Sequence, residues 1–206
     1  MPQLIEGHKH GRVPREIRAI QLLDVAEHQF SIQGYQGTSI DSIADAAGVT
    51  RPMVYNIFGS KDGIYIDCLR RARGVLEAAI LEAFSGTDGL RSKLARGFDA
   101  YLKFLEDQPS AWSLLYGGGA AVTGPAAKEV LDLRFATVNV IASLLRRELG
   151  KDIPDKNLLI TSHAISGGAE QAAKWWRENP KVKRMDVVNQ LVATYHTGLA
   201  AQDSAG

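Results

Sequence analysis

The chain has 206 residues, 45% of them hydrophobic and 23% charged, with a mean hydropathy of −0.11, values that exclude a disordered or fibrous polypeptide. No apolar run approaches the ~20 residues of a membrane span, and a net charge of +1 restricts any nucleic-acid contact to a local patch. The single cysteine, Cys68, rules out an internal disulfide and a multi-cysteine metal site. With no apolar leader in MPQLIEGHKHGRVPREIR, the expected compartment is the cytoplasm.

Strand signals are nearly absent, and helical periodicity runs almost throughout. Ile17, Ile20, Leu23, Ala26 and Phe30 recur three or four apart, with Gly34 just beyond as a C-cap candidate. Two short helical pieces follow, then a long helix over about 60–84 and another over about 89–106. Residues 117–124, GGGAAVTG, read as a connector; no Lys-Ser or Lys-Thr follows, as a phosphate-binding loop requires. Pro125 suits the first turn of the next helix, along which Leu131, Phe135, Val138, Ala142, Leu145 and Leu149 alternate in steps of four and three until Gly150. Leu158, Ser162, Ile165, Ala169, Ala172 and Trp176 repeat that spacing before Asn179-Pro180, and Val188, Leu191, Val192, Tyr195 and Leu199 mark a last helix. The prediction is an all-α fold of about nine helices.

The segment from Thr38 to Lys61 carries the functional signal. It reads as two short helices around a tight turn. Ser39 or Thr38 caps the first, and Asp41 complements the positive end of its macrodipole. Ile40, Ile43 and Ala44 point to a core, Gly48 takes the left-handed conformation, and Val49 fills the turn. Thr50 caps the second helix, with Pro52 in its first turn. Val54, Ile57 and Phe58 face inward, which leaves Arg51, Met53, Tyr55 and Asn56 outward on a short helix, the composition of a base-reading surface. The plainer alternative is an αα-hairpin whose outward polar residues are merely solvated.

This string, with Phe30 and Gly34 before it, Ile-Ala-x-Ala-Ala-Gly-Val at its centre and Val54-Tyr55-x-Ile57-Phe58-x-Ser60-Lys61-Asp62 at its end, resembles the TetR family of bacterial transcriptional regulators over about residues 14–66. The resemblance implies a homodimer with an N-terminal arm and three-helix DNA-binding domain over 1–61. An effector-binding and dimerisation domain follows over 62–206. It implies that Arg51, Pro52, Met53 and Asn56 reach base edges, that Tyr55 packs against the DNA backbone, and that Ser39, Thr50 and Lys61 contact phosphate. Asp41 stands where some relatives carry a basic residue, and an acid there repels phosphate. Residues 8–18, HKHGRVPREIR, form a basic arm suited to further phosphate or minor-groove contacts.

The middle helices carry Phe98, Tyr101, Trp112, Tyr116, Phe135, Asn139, His163, Gln171 and Trp175, which as a set suit an apolar cavity with a few polar groups. Taken singly, each aromatic is as well explained as core. The resemblance implies an effector, the lining residues point to a small hydrophobic or aromatic one, and Trp112 and Tyr116 followed by three glycines make 109–119 its expected gate. Small residues over about 155–178 (Ala164, Ser166, Gly167, Gly168, Ala169, Ala172 and Ala173) admit a close helix partner. With the helix near 184–200 they suit the two-fold four-helix interface that the resemblance implies; the alternative is internal packing only. No cofactor, metal or membrane partner is predicted; His8 and His10 lack further ligands, and Cys68 and Ser166 lack a base. The expected function is a ligand-responsive repressor that binds palindromic operator DNA. The alternatives are a DNA-binding protein without an effector and an enzyme using the helical cavity.

Overall fold

A computed structural model describes residues 14–116, 125–150 and 153–203. Among them run nine α-helices and no strand: α1 (Arg15–Gly37), α2 (Ile40–Ala47), α3 (Arg51–Phe58), α4 (Lys61–Ala83), α5 (Leu90–Asp107), α6 (Pro109–Tyr116), α7 (Pro125–Leu149), α8 (Asp155–Glu178) and α9 (Arg184–Asp203). The 117–124 connector and the arm up to residue 13 lie outside the described residues. The chain divides into two compact units, one of residues up to 72 with 110–131, the other of 73–109 with the residues from 132 onward.

In the first unit, α1 buries Leu22, Ala26 and Phe30, a strict four-residue step, while Ile20 stays 57% exposed. The sequence periodicity named Ala26 and Phe30 but took Leu23 in place of Leu22. A helix buries an arc of about 100° of its circumference, and Ala26 lies between Leu22 and Phe30 at the middle of that arc. Gly34, non-helical at φ 69°, breaks α1 where the sequence reading ends its first helix, and a further helical turn runs on to Gly37. The Thr38 hydroxyl donates to the Gly34 carbonyl at 2.9 Å, closing the turn that follows. Gln29 then ties α1 to α2: its side-chain N–H donates to the Ser42 carbonyl at 2.9 Å, and its carbonyl accepts from the Ser42 hydroxyl at 2.7 Å. From α4, the Arg71 guanidinium reaches Asp24 at 2.6 Å and Glu27 at 2.8 Å.

An aromatic group seals the junction of α1 and α4. Tyr65 meets Phe30 edge-on with ring centroids 4.9 Å apart, and meets Tyr35 at 5.1 Å. The Tyr35 hydroxyl donates to the Asp62 carboxylate, and the Lys61 ammonium sits 4.3 Å above the Tyr35 ring. Burial, and then the hydrogen bond to Asp62, favour the neutral phenol and push Tyr35 up to about 12 from an ordinary 10.

In the second unit, α9 is fastened to α5 by Arg184, whose Nε donates to Asp99 at 2.7 Å and whose other nitrogen pairs with Glu106. The buried Lys93 of α5 meets both oxygens of Glu148 on α7 at 2.7 and 2.8 Å. On α8, Leu158, Ser162, Ile165, Ala169, Ala173 and Trp176 are buried. Gly168 permits the approach of α9: a Cβ there would stand 1.9 Å from the Tyr195 hydroxyl oxygen. That hydroxyl donates to the Ala164 carbonyl at 2.9 Å. On α7 the buried residues include Val138, Leu145 and Leu149, as the periodicity predicts, but Leu131 and Phe135 are 54% and 56% exposed.

Two stability measurements follow from this packing. Trp112 is wholly buried in α6, so Trp112→Ala is expected to lower unfolding free energy by about 3–5 kcal/mol in urea titrations. Tyr35 binds its proton more tightly folded than unfolded, so its contribution is complete below pH 10 and is lost as pH rises towards 12. Wild-type protein should therefore lose more stability across that interval than Tyr35→Phe, and parallel pH profiles for the two would refute the assignment.

Candidate nucleic-acid interface and effector residues

Helices α2 and α3 form the turn that the sequence predicts, and each boundary has a local cause. The Ser39 hydroxyl accepts from the Ser42 N–H at 3.0 Å, and the Ser42 hydroxyl accepts from the Ser39 N–H at 3.1 Å, a reciprocal cap. Gly48 ends α2 in the left-handed conformation, φ 64° and ψ 36°, with its N–H turned back to the carbonyls of Ala44 and Asp45. Thr50 occupies the N-cap position of α3, but its side chain makes no capping bond, contrary to the sequence reading. The reason is local. Pro52 has no N–H to cap, and the Met53 N–H bonds to the Thr50 backbone carbonyl at 2.9 Å. The Ser60 hydroxyl accepts from the Gly63 N–H at 3.0 Å at the start of α4.

On α3, Val54 is fully buried, and Ile57 and Phe58 are half-buried. Arg51, Pro52, Met53, Tyr55 and Asn56 are all exposed. Thus α3 is anchored by one row of apolar side chains and presents the rest. Arg51 is its only formally charged residue. The guanidinium pairs with Asp41 of α2 at 3.3 Å, and donates to the Tyr55 hydroxyl, also at 3.3 Å. Asp41 is therefore Arg51's partner as well as an acid on this surface. Arg15, read in the sequence only as part of a basic arm, donates to the Asn56 backbone carbonyl at 3.2 Å and so joins the last turn of α3. No local pattern in the sequence marks this contact, because it exists only once α1 has packed against α3.

The effector candidates do not gather in one place. Trp112 and Tyr116 belong to the first unit, with ring centroids 5.5 Å apart. Phe98 and Tyr101 are buried in α5 of the second unit, where Phe98 lies 5.9 Å from the Tyr195 ring. Phe135 and Asn139 of α7, and His163, Gln171 and Trp175 of α8, are exposed. The Phe135 and His163 rings stand 6.4 Å apart. With Ile160, Ala164 and Gly167, the three α8 residues occupy the face opposite its buried one.

Catalytic chemistry finds little support in these side chains. Cys68 is buried, and burial pushes its thiol well above the usual range, which keeps it protonated. Among the described residues no group of three or more His, Cys, Asp or Glu side chains could hold a metal ion, and no helix is long and apolar enough to cross a membrane.

Comparison with known proteins bears directly on this geometry. Residues 22–68 match the model for bacterial regulatory proteins of the tetR family, and residues 90–198 match that for the tetracyclin repressor-like C-terminal domain. The HTH-type transcriptional activator FasR of Mycolicibacterium smegmatis is 26% identical over 176 residues, 85% of this chain and 80% of that protein. A TetR-like transcriptional regulator from Rhodococcus sp. RHA1 superposes with a TM-score of 0.73 at 26% identity, over 92% of this chain and 99% of that one. FadR from Bacillus subtilis, solved in complex with stearoyl-CoA, shares the fold at a TM-score of 0.72 and 16% identity, over 85% and 96% of the two chains. With a helix-turn-helix of this geometry, and both halves matching the same family, the chain belongs to the tetR family of bacterial regulatory proteins and is a transcriptional regulator.

Proposed function

We propose that the protein acts in the cytoplasm as a homodimeric repressor that binds palindromic operator DNA and is released by a small hydrophobic or aromatic effector. The observation that carries this reading is the outward row of α3, where Met53 and Tyr55 are each 40% exposed beside Arg51, Pro52 and Asn56. Large apolar side chains on the open face of an eight-residue helix suit contact with thymine methyl groups and base edges. Arg51, Pro52, Met53 and Asn56 read bases, Tyr55 packs on the backbone, and Ser39, Thr50 and Lys61 meet phosphates. Residues 1–61 serve DNA, and 62–206 serve effector binding and dimerisation. Two copies of α3, one per protomer, then fit half-sites one helical turn apart.

The exposed face of α8 supports the dimer. Ile160 is 68% exposed and Trp175 52% exposed on a helix whose opposite face is already buried. Phe135, Asn139, His163, Gln171 and Trp175 are accordingly assigned to the two-fold contact of α8 and its neighbours. Phe98 and Tyr101 of α5, and separately Trp112 and Tyr116 of α6, remain candidates for effector contact, each pair within its own unit. An acyl-CoA is the first effector class to test, because Bacillus subtilis FadR shares the fold and was solved with stearoyl-CoA. Effector binding weakens operator affinity by its preference for the unbound-state geometry. The likeness to FasR, an activator, favours a second reading in which the same contacts recruit transcription; transcription assays on the bound promoter separate the two.

Sequencing the genomic DNA retained by purified protein tests the central claim. Retained fragments should share a two-fold-symmetric motif, and stearoyl-CoA should release them. Lys61→Ala should weaken motif and random duplex alike, with a salt slope shallower by about one for each phosphate left without its lysine. Fragments with no shared motif would sink the reading. For the dimer, Gly167→Glu should yield folded monomers in sedimentation velocity. Ala169→Glu should instead unfold the chain, because Ala169 is buried within its own protomer.

A further inference from the structure

We propose that Asp41 is a specificity-determining residue, which holds Arg51 in place and offsets its charge so that α3 responds to base edges rather than to phosphates. The inference rests on the reading of α3 as the recognition helix. Asp41 lies in the first turn of α2, and Arg51 is the first residue of α3. Their side chains, 58% and 56% exposed, meet at 3.3 Å. A pair so open to water adds little to folding. Its consequence lies in what the guanidinium presents. One nitrogen faces Asp41, a second donates to the Tyr55 hydroxyl, and the carbon stands 5.5 Å from the Tyr55 ring centroid.

Three contacts on two sides set the plane of the guanidinium before DNA arrives. The donors they leave over are those available to a guanine O6/N7 edge. The rest of α3 is uncharged, so with Asp41 in place its outward face is electrically balanced. On a matched site Arg51 can donate to guanine and keep Asp41. On unmatched DNA the nearest acceptor is a phosphate, and turning to it brings the Asp41 carboxylate against the same anion. Asp41 therefore penalises sequence-blind binding more than matched binding, a repulsive device for discrimination.

The test compares wild type, Asp41→Asn, Asp41→Glu, Arg51→Ala and the Asp41→Asn/Arg51→Ala double variant, on a random-sequence duplex and on the motif recovered by genomic selection. Fluorescence anisotropy across a salt series gives affinity and slope, and circular dichroism confirms that each variant is folded. Asp41→Asn should bind random duplex at least about threefold more tightly, with a slope steeper by about 0.9 for each freed guanidinium. Its ratio of motif to random affinity should fall. Asp41→Glu should restore wild-type discrimination, and the double variant should show no gain over Arg51→Ala. An unchanged slope in Asp41→Asn overturns the proposal. So does an equal gain with and without Arg51, since Asp41 would then act by simple repulsion of phosphate. Asn56→Ala serves as a control: if it loses motif binding, the reading of α3 stands whatever Asp41 does. If neither Asn56→Ala nor Arg51→Ala alters binding, α3 is not the recognition helix and both conclusions fall.

Discussion

Helices α2 and α3 have eight residues each, and a helix that short does not persist in water without a surface to lie on. The DNA-facing part of this molecule depends on that surface. It is made by α1, through its buried row of Leu22, Ala26 and Phe30, and by the apolar residues that α2 and α3 turn inward, Ile40, Ile43, Ala44 and Val54. Polar contacts then set the register. Gln29 grips both the carbonyl and the hydroxyl of Ser42, so α2 cannot slide along α1 without breaking two hydrogen bonds together. The Gly48 turn carries that register into α3, whose outward side chains are placed only as accurately as this packing allows.

The second unit shows the same economy on a longer helix. α8 has two apolar or small-residue faces, one buried and the other carrying the exposed Ile160 and Trp175. Gly168 lies on the side of Tyr195, where a side chain would collide with the phenol. Gly167, one residue on the other side of the helix, has open space where a Cβ would be. Adjacent glycines thus serve different neighbours. Ile160 and Trp175 stand outward on α8, and they are the side chains that the proposed dimer would cover.

Much of the recognition segment was legible in the sequence because its boundaries are set by local chemistry. Ser39, Gly48 and Pro52 each act on the backbone within a few residues, so their effect can be read without knowing the fold. The Thr50 cap was misjudged for a local reason too: Pro52 removes the donor the cap would serve. Faces were harder. Periodicity along α7 shows that Leu131 and Phe135 share a stripe with Val138 and Leu145, but not which apolar residues are satisfied within the chain. Leu145 is buried and Phe135 is not. Long-range polar pairs were least legible. Nothing in a linear pattern joins Arg15 to Asn56 or Arg184 to Asp99, since those contacts exist only once distant helices have packed.

The cations beside the recognition segment bear on how such a protein finds its site. Arg51 faces Asp41, Arg15 lies on the end of α3 at the Asn56 carbonyl, and Lys61 rests over the Tyr35 ring. Of these three contacts, the one made by Arg51 is with an anion. Uncompensated cations speed encounter with DNA but hold the protein equally at every sequence. A genome offers on the order of 10⁶–10⁹ competing sites, so the ratio of matched to unmatched affinity matters more than either affinity alone. An exposed ion pair is worth up to about 1 kcal/mol, roughly a fivefold factor. A dimer applies that factor once per half-site, so two such pairs give roughly 30-fold. Compensation of this kind acts where the competition between sites is decided.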